Sequence, residues 1–216
     1  MARPIGSRNA GYEQERAAIL GRLRGTLLGP AGARTSFREM AVAAGVSAAT
    51  LRHYFGNRQG VLAALLADMH VAGLPFLQNA AAGPIDDGLR ASLQWLLMSV
   101  VHGWRLGVGA IHVLGLSAGM GDPMLGPAYV QEILEPTLQA TEARLARHIA
   151  AGHLRPCDVR HAALSLISPL VLGLLHQDDL FGARCRPLDL DRFLQDHLDC
   201  FITAHTHGDT TVEKSR

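Results

Sequence analysis

Disulfide chemistry has little to work with in this chain. Its three cysteines, Cys157, Cys185 and Cys200, are odd in number and far apart, which points to a reducing compartment rather than a cross-linked scaffold. Charge is sparse at 18% and nets to +1, while 48% of residues are hydrophobic; that balance excludes an intrinsically disordered chain. The longest apolar stretch, Ala162 to Leu175, is 14 residues and contains Ser165, Ser168 and Pro169. A membrane helix needs about 20, so no membrane partner is expected. The opening MARPIGSRNAGYEQER has no apolar core of a signal peptide, so a cytoplasmic protein is expected. Alternating strand patterns, internal repeats and low-complexity tracts are missing. No phosphate-cradling loop is found either, since Gly107-Val-Gly109 lacks its third glycine and has His112 there. The eleven histidines show no H-E-x-x-H or H-x3-H spacing, the cysteines no C-x-x-C, and His205-x-His207 lies in the polar tail. Neither a metal nor a cofactor is expected.

What the sequence does contain is helical periodicity almost throughout, so the expected fold is all-α. Leu20, Leu23 and Leu27 stripe a first helix over 12–28, which Gly29-Pro30-Ala31-Gly32 breaks. Val61, Leu62, Leu65, Leu66 and Met69 stripe another over 58–72. Gly73, Pro75, Gly83, Pro84 and Gly88 then read as a domain boundary. The expected organisation is a DNA-binding domain over 12–60, a larger helical domain over 61–205, and flexible tails at 1–11 and 206–216. In the larger domain, helices are expected over about 89–104, 128–151, 158–176 and 190–205. Asp86 or Asp87, Asp158 and Asp189 stand at their N-caps, and Pro136 marks a kink or a true first turn. Charge is unevenly spread. Residues 1–60 hold nine Arg against three Glu, whereas acid exceeds base in the remainder, as if one end meets a polyanion.

The informative segment is Thr35 to Phe55, TSFREMAVAAGVSAATLRHYF. Ser36-x-x-Glu39 is a capping box, Gly45 can close a helix in the left-handed conformation, and Ser47 can cap a second helix. Ala41 is small enough for two helices to cross closely, with Val46 and Leu51 on the inner faces. This is the layout of a helix-turn-helix, whose second helix enters the major groove. That helix offers Ser47, Ala48, Thr50, Arg52 and His53 outward. Its short side chains permit close approach, and Arg52 can read guanine O6 and N7.

The ordered set Thr35-Ser36, Met40-Ala41, Ala44-Gly45-Val46-Ser47, Thr50-Leu51, Tyr54-Phe55, Arg58 and Val61-Leu62 resembles the TetR-type repressor family over residues 12–70. The resemblance implies a homodimer on palindromic operator DNA and a small-molecule effector that releases it. It also implies phosphate anchoring by Tyr54 and Arg58 and backbone contacts by Thr35 and Thr50. Ser36, Arg38 and Ala49 complete the expected DNA-binding set. Arg52 departs from the family, which usually has an aromatic residue there, and implies a changed operator preference.

A largely apolar effector pocket is expected between the helices of 89–151 and the one starting near 158, with Trp95, Met98, His102, His112, Ser117, Met120 and Tyr129 around it and Gln94 as a further polar handle. Glycines 103, 107, 109, 115, 119 and 121 are read as making that segment soft. A dimer face is expected from Leu164, Ile167, Val171, Leu174 and Leu175, extended by Leu194, Leu198 and Phe201, because so much apolar surface needs a second partner. Two other chemistries are weighed. Gly115-Leu-Ser117-Ala-Gly119 matches the nucleophile elbow of a serine hydrolase, but that motif needs a strand-to-helix turn. A metal-responsive regulator would need ligand spacings the histidines do not show.

Overall fold

The computed structural model of the protein describes residues 5–206, and among these there is helix and loop but no strand. The helices are α1 (Ile5–Leu27), α2 (Phe37–Ala43), α3 (Ala48–Phe55), α4 (Arg58–Ala82), α5 (Leu89–Gly103), α6 (Gly109–Gly119), α7 (Leu125–Tyr129), α8 (Glu135–Ala150), α9 (Val159–Leu174), α10 (Gly182–Cys185) and α11 (Leu190–His205). Val130–Leu134 and Leu175–Asp179 are π-helical turns that join or extend them, whereas α5 and α6 meet at a kink within Trp104–Val108, where Gly107 leaves the helix at φ 116°. The expected tail at 1–11 is corrected in part, since α1 begins at Ile5. The tail after Thr206, with His207, lies outside the described residues.

Two compact units result, and they differ from the division expected at residue 60. One runs to Gly73 and includes Ala110–Leu134; the other comprises Leu74–Gly109 and the chain from Glu135. The expected break near Gly73 and Pro75 does not occur, because α4 carries Pro75 inside one continuous helix. In the first unit, Ile19, Leu23 and Leu27 of α1 pack with Met40, Leu51 and Phe55 and with Val61, Leu62 and Leu65 of α4. In the second, Leu93, Leu96 and Leu97 of α5 meet Leu145 of α8, Leu166 and Leu170 of α9 and Leu198 of α11. Asp158 caps α9 by accepting from the Arg160 and His161 amides, and Asp189 caps α11 through the Arg192 amide. Asp86 and Asp87 do not cap α5. Its N-cap is Gly88 at φ 90°, a left-handed position that favours glycine over an aspartate. Pro136 is the second residue of α8, which continues directly from the π-helical turn Val130–Leu134, so of the two expected readings it is an irregularity within the helix and not a first turn.

By length and composition alone, three helical stretches are apolar enough to cross a membrane: Arg58–Ala82, Leu89–Gly119 and Val159–Asp179. The sequence expectation rested on apolar stretches, and these helices extend past their polar interruptions.

The glycines of 103–121 serve mainly as close contacts rather than as soft spots. A Cβ at Gly109 would sit 2.5 Å from the Trp104 indole nitrogen, one at Gly115 2.1 Å from the Tyr129 ring, and Gly119 faces the Gly126 backbone. Only Gly107 (φ 116°) and Gly121 (φ 78°) are used for their backbone freedom. Gly115→Ala is therefore expected to destabilise the fold by about 1–3 kcal/mol, because the overpacking of the Tyr129 ring outweighs alanine's helix preference. Gly21→Ala, with nothing within 4 Å of its added methyl, should instead stabilise by about 0.5–1 kcal/mol. Urea unfolding of both variants measures the contrast.

Candidate nucleic-acid interface

Local chemistry builds the two short helices. The Ser36 hydroxyl accepts from the Glu39 amide at 3.3 Å while Glu39 accepts from the Ser36 amide at 2.7 Å, so the capping box closes. Those bonds hold the Glu39 carboxyl below its usual range. α2 stops at Gly45 (φ 68°), where the Val46 amide reaches back to the Ala41 carbonyl and the Gly45 amide to Val42. Ser47 caps α3 through the Thr50 amide, and the two hydroxyls lie 2.8 Å apart. Leu51 and Phe55 turn inward. This leaves Ala48, Ala49, Arg52 and His53 exposed on the opposite face, with Ser47 and Arg38 also exposed. The Arg52 guanidinium stands over the Phe37 ring, 5.9 Å from its centre.

The turn before α2 is held from α4. Arg58 donates to the Thr35 carbonyl at 2.9 Å and also to the Ala33 carbonyl. Thr35 is buried, and its hydroxyl donates to Ala31. Both were expected to touch DNA phosphates; these contacts instead tie them to the protein's own backbone. Tyr54 is half-buried against Tyr12 (ring centres 4.8 Å apart), whose hydroxyl lies 3.4 Å from both the His53 and Tyr54 carbonyls. The sequence reading missed the supports from α1: Tyr12 at the end of α3, Arg16 over the Phe55 ring, and Arg22 donating to the Ala44 carbonyl at 2.7 Å. Only the placing of Tyr12 and Arg16 four apart, on one helical face, hints at it.

A family model for the bacterial regulatory proteins of the TetR family matches residues 28–65, the segment from the end of α1 into α4. The chain carries a TetR-family DNA-binding domain. Solved structures are similar over nearly the whole chain. A Mesorhizobium loti chain described as a TetR-family transcriptional regulator has a TM-score of 0.70 at 16% identity, covering 91% of this chain and 98% of that one. The FadR regulator of Bacillus subtilis, in complex with stearoyl-CoA, has a TM-score of 0.65 at 16% identity, covering 87% and 97%. SmeT of Stenotrophomonas maltophilia, in complex with triclosan, has 0.64 at 22%, covering 93% and 95%. At these identities the likeness shows the fold. No curated protein sequence matches the chain.

Beyond the TetR-family domain, the residues expected to line one effector pocket divide between the two compact units. Trp95, Met98 and His102 belong to one compact unit and His112, Ser117, Met120 and Tyr129 to the other. Trp95 stacks on the Arg144 guanidinium at 4.9 Å. His102, Ser117 and Met120 are exposed. His112 and Tyr129 are buried and hydrogen-bonded to each other at 2.7 Å. The second unit has an open cavity of about 260 Å³ between α5 and α11, which Gln94 and Met98 line. The expected dimer face is corrected similarly: Ile167, Leu174, Leu194, Leu198 and Phe201 are core of the chain itself. Val171 and Leu175 are half-buried, and Leu164 alone of the set is exposed. Ser117 lies within α6 rather than on a strand-to-helix turn, so the elbow geometry of a hydrolase is absent. Among the described residues no group of three or more His, Cys, Asp or Glu gathers as a metal site.

His112 has a measurable consequence. Burial pushes its imidazole down to about 4, whereas an unfolded histidine takes up a proton near 6.5. Between those pH values the unfolded chain binds the extra proton, so His112's contribution is intact above pH 6.5 and is lost as pH falls towards 4. At 1.36 kcal/mol per pH unit this removes roughly 3 kcal/mol by pH 4. His112→Gln should flatten that part of the stability profile, read by urea unfolding across pH 4–7.

Proposed function

We propose that this TetR-type transcriptional regulator binds palindromic operator DNA as a homodimer, represses transcription, and releases DNA when a small organic effector binds. The observation that carries the DNA reading is the division of α3. Leu51 and Phe55 lock one face into the core, and the other offers only Ala48, Ala49, Arg52 and His53. A helix with short side chains and one long cation outward suits the major groove, where arginine pairs with guanine in bidentate fashion. The similar SmeT structures support repression, since one is described as the repressor of a multidrug efflux pump. Triclosan and stearoyl-CoA in the similar complexes support an organic effector. Leu164 and Leu172 remain exposed two turns apart on α9, which supports a second copy pairing there. The cytoplasm is the compartment this reading requires.

Selection from random duplexes with the purified full chain should return a palindrome whose half-sites lie about one helical turn apart. Arg52→Ala should then cost about 1–3 kcal/mol and relax preference at one base position per half-site. Unchanged affinity and base preference in Arg52→Ala would overturn the placement of α3 in the groove. Arg58→Ala should act differently, lowering thermal stability along with affinity, because its guanidinium holds the turn before α2.

A further inference from the structure

The cavity between α5 and α11 has a polarity that names its occupant. Its floor is Leu97, Leu194 and Leu198, and its rim includes Gln94, Met98 and Gln195. One end is closed by Arg90, which is ion-paired with Asp199. Arg90 near the start of α5 meets Asp199 late in α11, while Arg90–Met98 and Asp191–Leu198 line the same cavity, so the two helices run antiparallel and the other lining residue of charge, Asp191, stands at the Met98 end. Eight residues at 1.5 Å each separate Arg90 from Met98, about 12 Å along the groove. Arg90 is neutralised by its partner, whereas Asp191 has no ion-pair partner among the described residues. Nearby, Asp189 caps α11 and Arg192 leans towards Asp196, so the nearest cation on α11 is directed away from Asp191.

The geometry points to a binding site for an amphipathic organic cation, with its apolar body along the leucine floor and its ammonium group at Asp191. The volume suits a compact ligand, since 260 Å³ corresponds to about nine water volumes. An apolar floor supplies affinity without selecting charge, and the lone carboxylate supplies the selection. The exposed Met98 thioether beside it is polarizable and adapts to the ligand's shape. That such a cation also controls operator binding rests on the function proposed above; the binding site itself does not.

Calorimetric titration of the full chain at pH 7 with 4-phenylbutylamine, 4-phenylbutan-1-ol and 4-phenylbutyrate keeps one skeleton and varies only charge. The amine should bind about tenfold more tightly than the alcohol, a difference of about 1.4 kcal/mol, and the carboxylate most weakly. Asp191→Asn should bring the amine to within about threefold of the alcohol while leaving the alcohol unchanged. Gln195→Trp, at an exposed rim position, should weaken all three by filling the groove, with the melting curve showing the variant folded. A carboxylate that binds best, equal binding of amine and alcohol, or an amine advantage that survives Asp191→Asn would each overturn the site, as would no binding by any probe. Should the amine bind as expected yet leave operator affinity unchanged, its effector role is overturned and the site stands.

Discussion

Arg144 is a guanidinium sealed inside the second unit, 1% exposed, with no carboxylate against it among the described residues. It is held instead by the Ala80 carbonyl at 2.8 Å, the Pro84 carbonyl, the Ser92 hydroxyl and the face of Trp95. Burying an uncompensated charge is costly, and the geometry meets that cost by using carbonyls left over at the end of α4. The last carbonyls of a helix have no partner within it and lie at its negative end. Arg147 completes the arrangement by donating to Ala81 and Gly83. Ser92, accepting from Arg144, is also 2.8 Å from the His148 ring nitrogen. His148 is held neutral by burial and by the neighbouring His153, Arg144 and Arg147, which push it down to about 4. The end of α4, the start of α5 and the middle of α8 are thus one polar knot inside an otherwise leucine core.

The same device recurs in the first unit on a smaller scale. Arg22 holds the carbonyl end of α2, Tyr12 that of α3, and Arg58 the turn before α2. Beside Arg58, Asp122 caps α7 by accepting from the Met124 and Leu125 amides, and Gln59 and Arg58 help keep its carboxyl below the usual range. The arginine excess of the first sixty residues therefore has two uses. Arg22 and Arg58 are spent on backbone carbonyls, and Arg38 and Arg52 remain outward. A charge count alone reads all of them as a footprint for a polyanion.

That distinction marks where the sequence is legible. The capping box at Ser36–Glu39, the Gly45 turn and the caps at Ser47, Asp158 and Asp189 were readable because each is decided within a few residues. Gly115 was not, because the ring it accommodates, Tyr129, comes from a different helix. Nor was the dimer face: the run around Leu164 to Leu175 looks like surplus apolar surface until Leu145, Leu198 and Phe201 are seen covering it from α8 and α11. The same holds for His112, which reads in the sequence as a polar group in an apolar stripe; its hydrogen-bond partner, Tyr129, comes from a different helix, and no periodicity reveals that.

The glycine and proline punctuation carried a different kind of information than a chain break. The covalent chain passes between the two units after Gly73, Gly109 and Leu134, and each crossing falls at a departure from the regular helical ladder. Pro75 lies just past the first inside α4. A kink within Trp104–Val108, where Gly107 is non-helical at φ 116°, precedes the second. A π-helical turn, Val130–Leu134, precedes the third, and Pro136 follows it. At the first and third crossings proline removes one ladder bond and the π-turn replaces others with longer ones, so helix continues through them, whereas at Gly107 the ladder breaks. Gly73 and Pro75 read as a boundary in the sequence yet lie inside α4, whereas among the glycines of 103–121 Gly107 does mark a break between helices. Within α4 and from α7 into α8 the chain changes unit without leaving its helix, because the hydrogen-bond ladder tolerates a local change of pitch at lower cost than exposing its backbone in a loop.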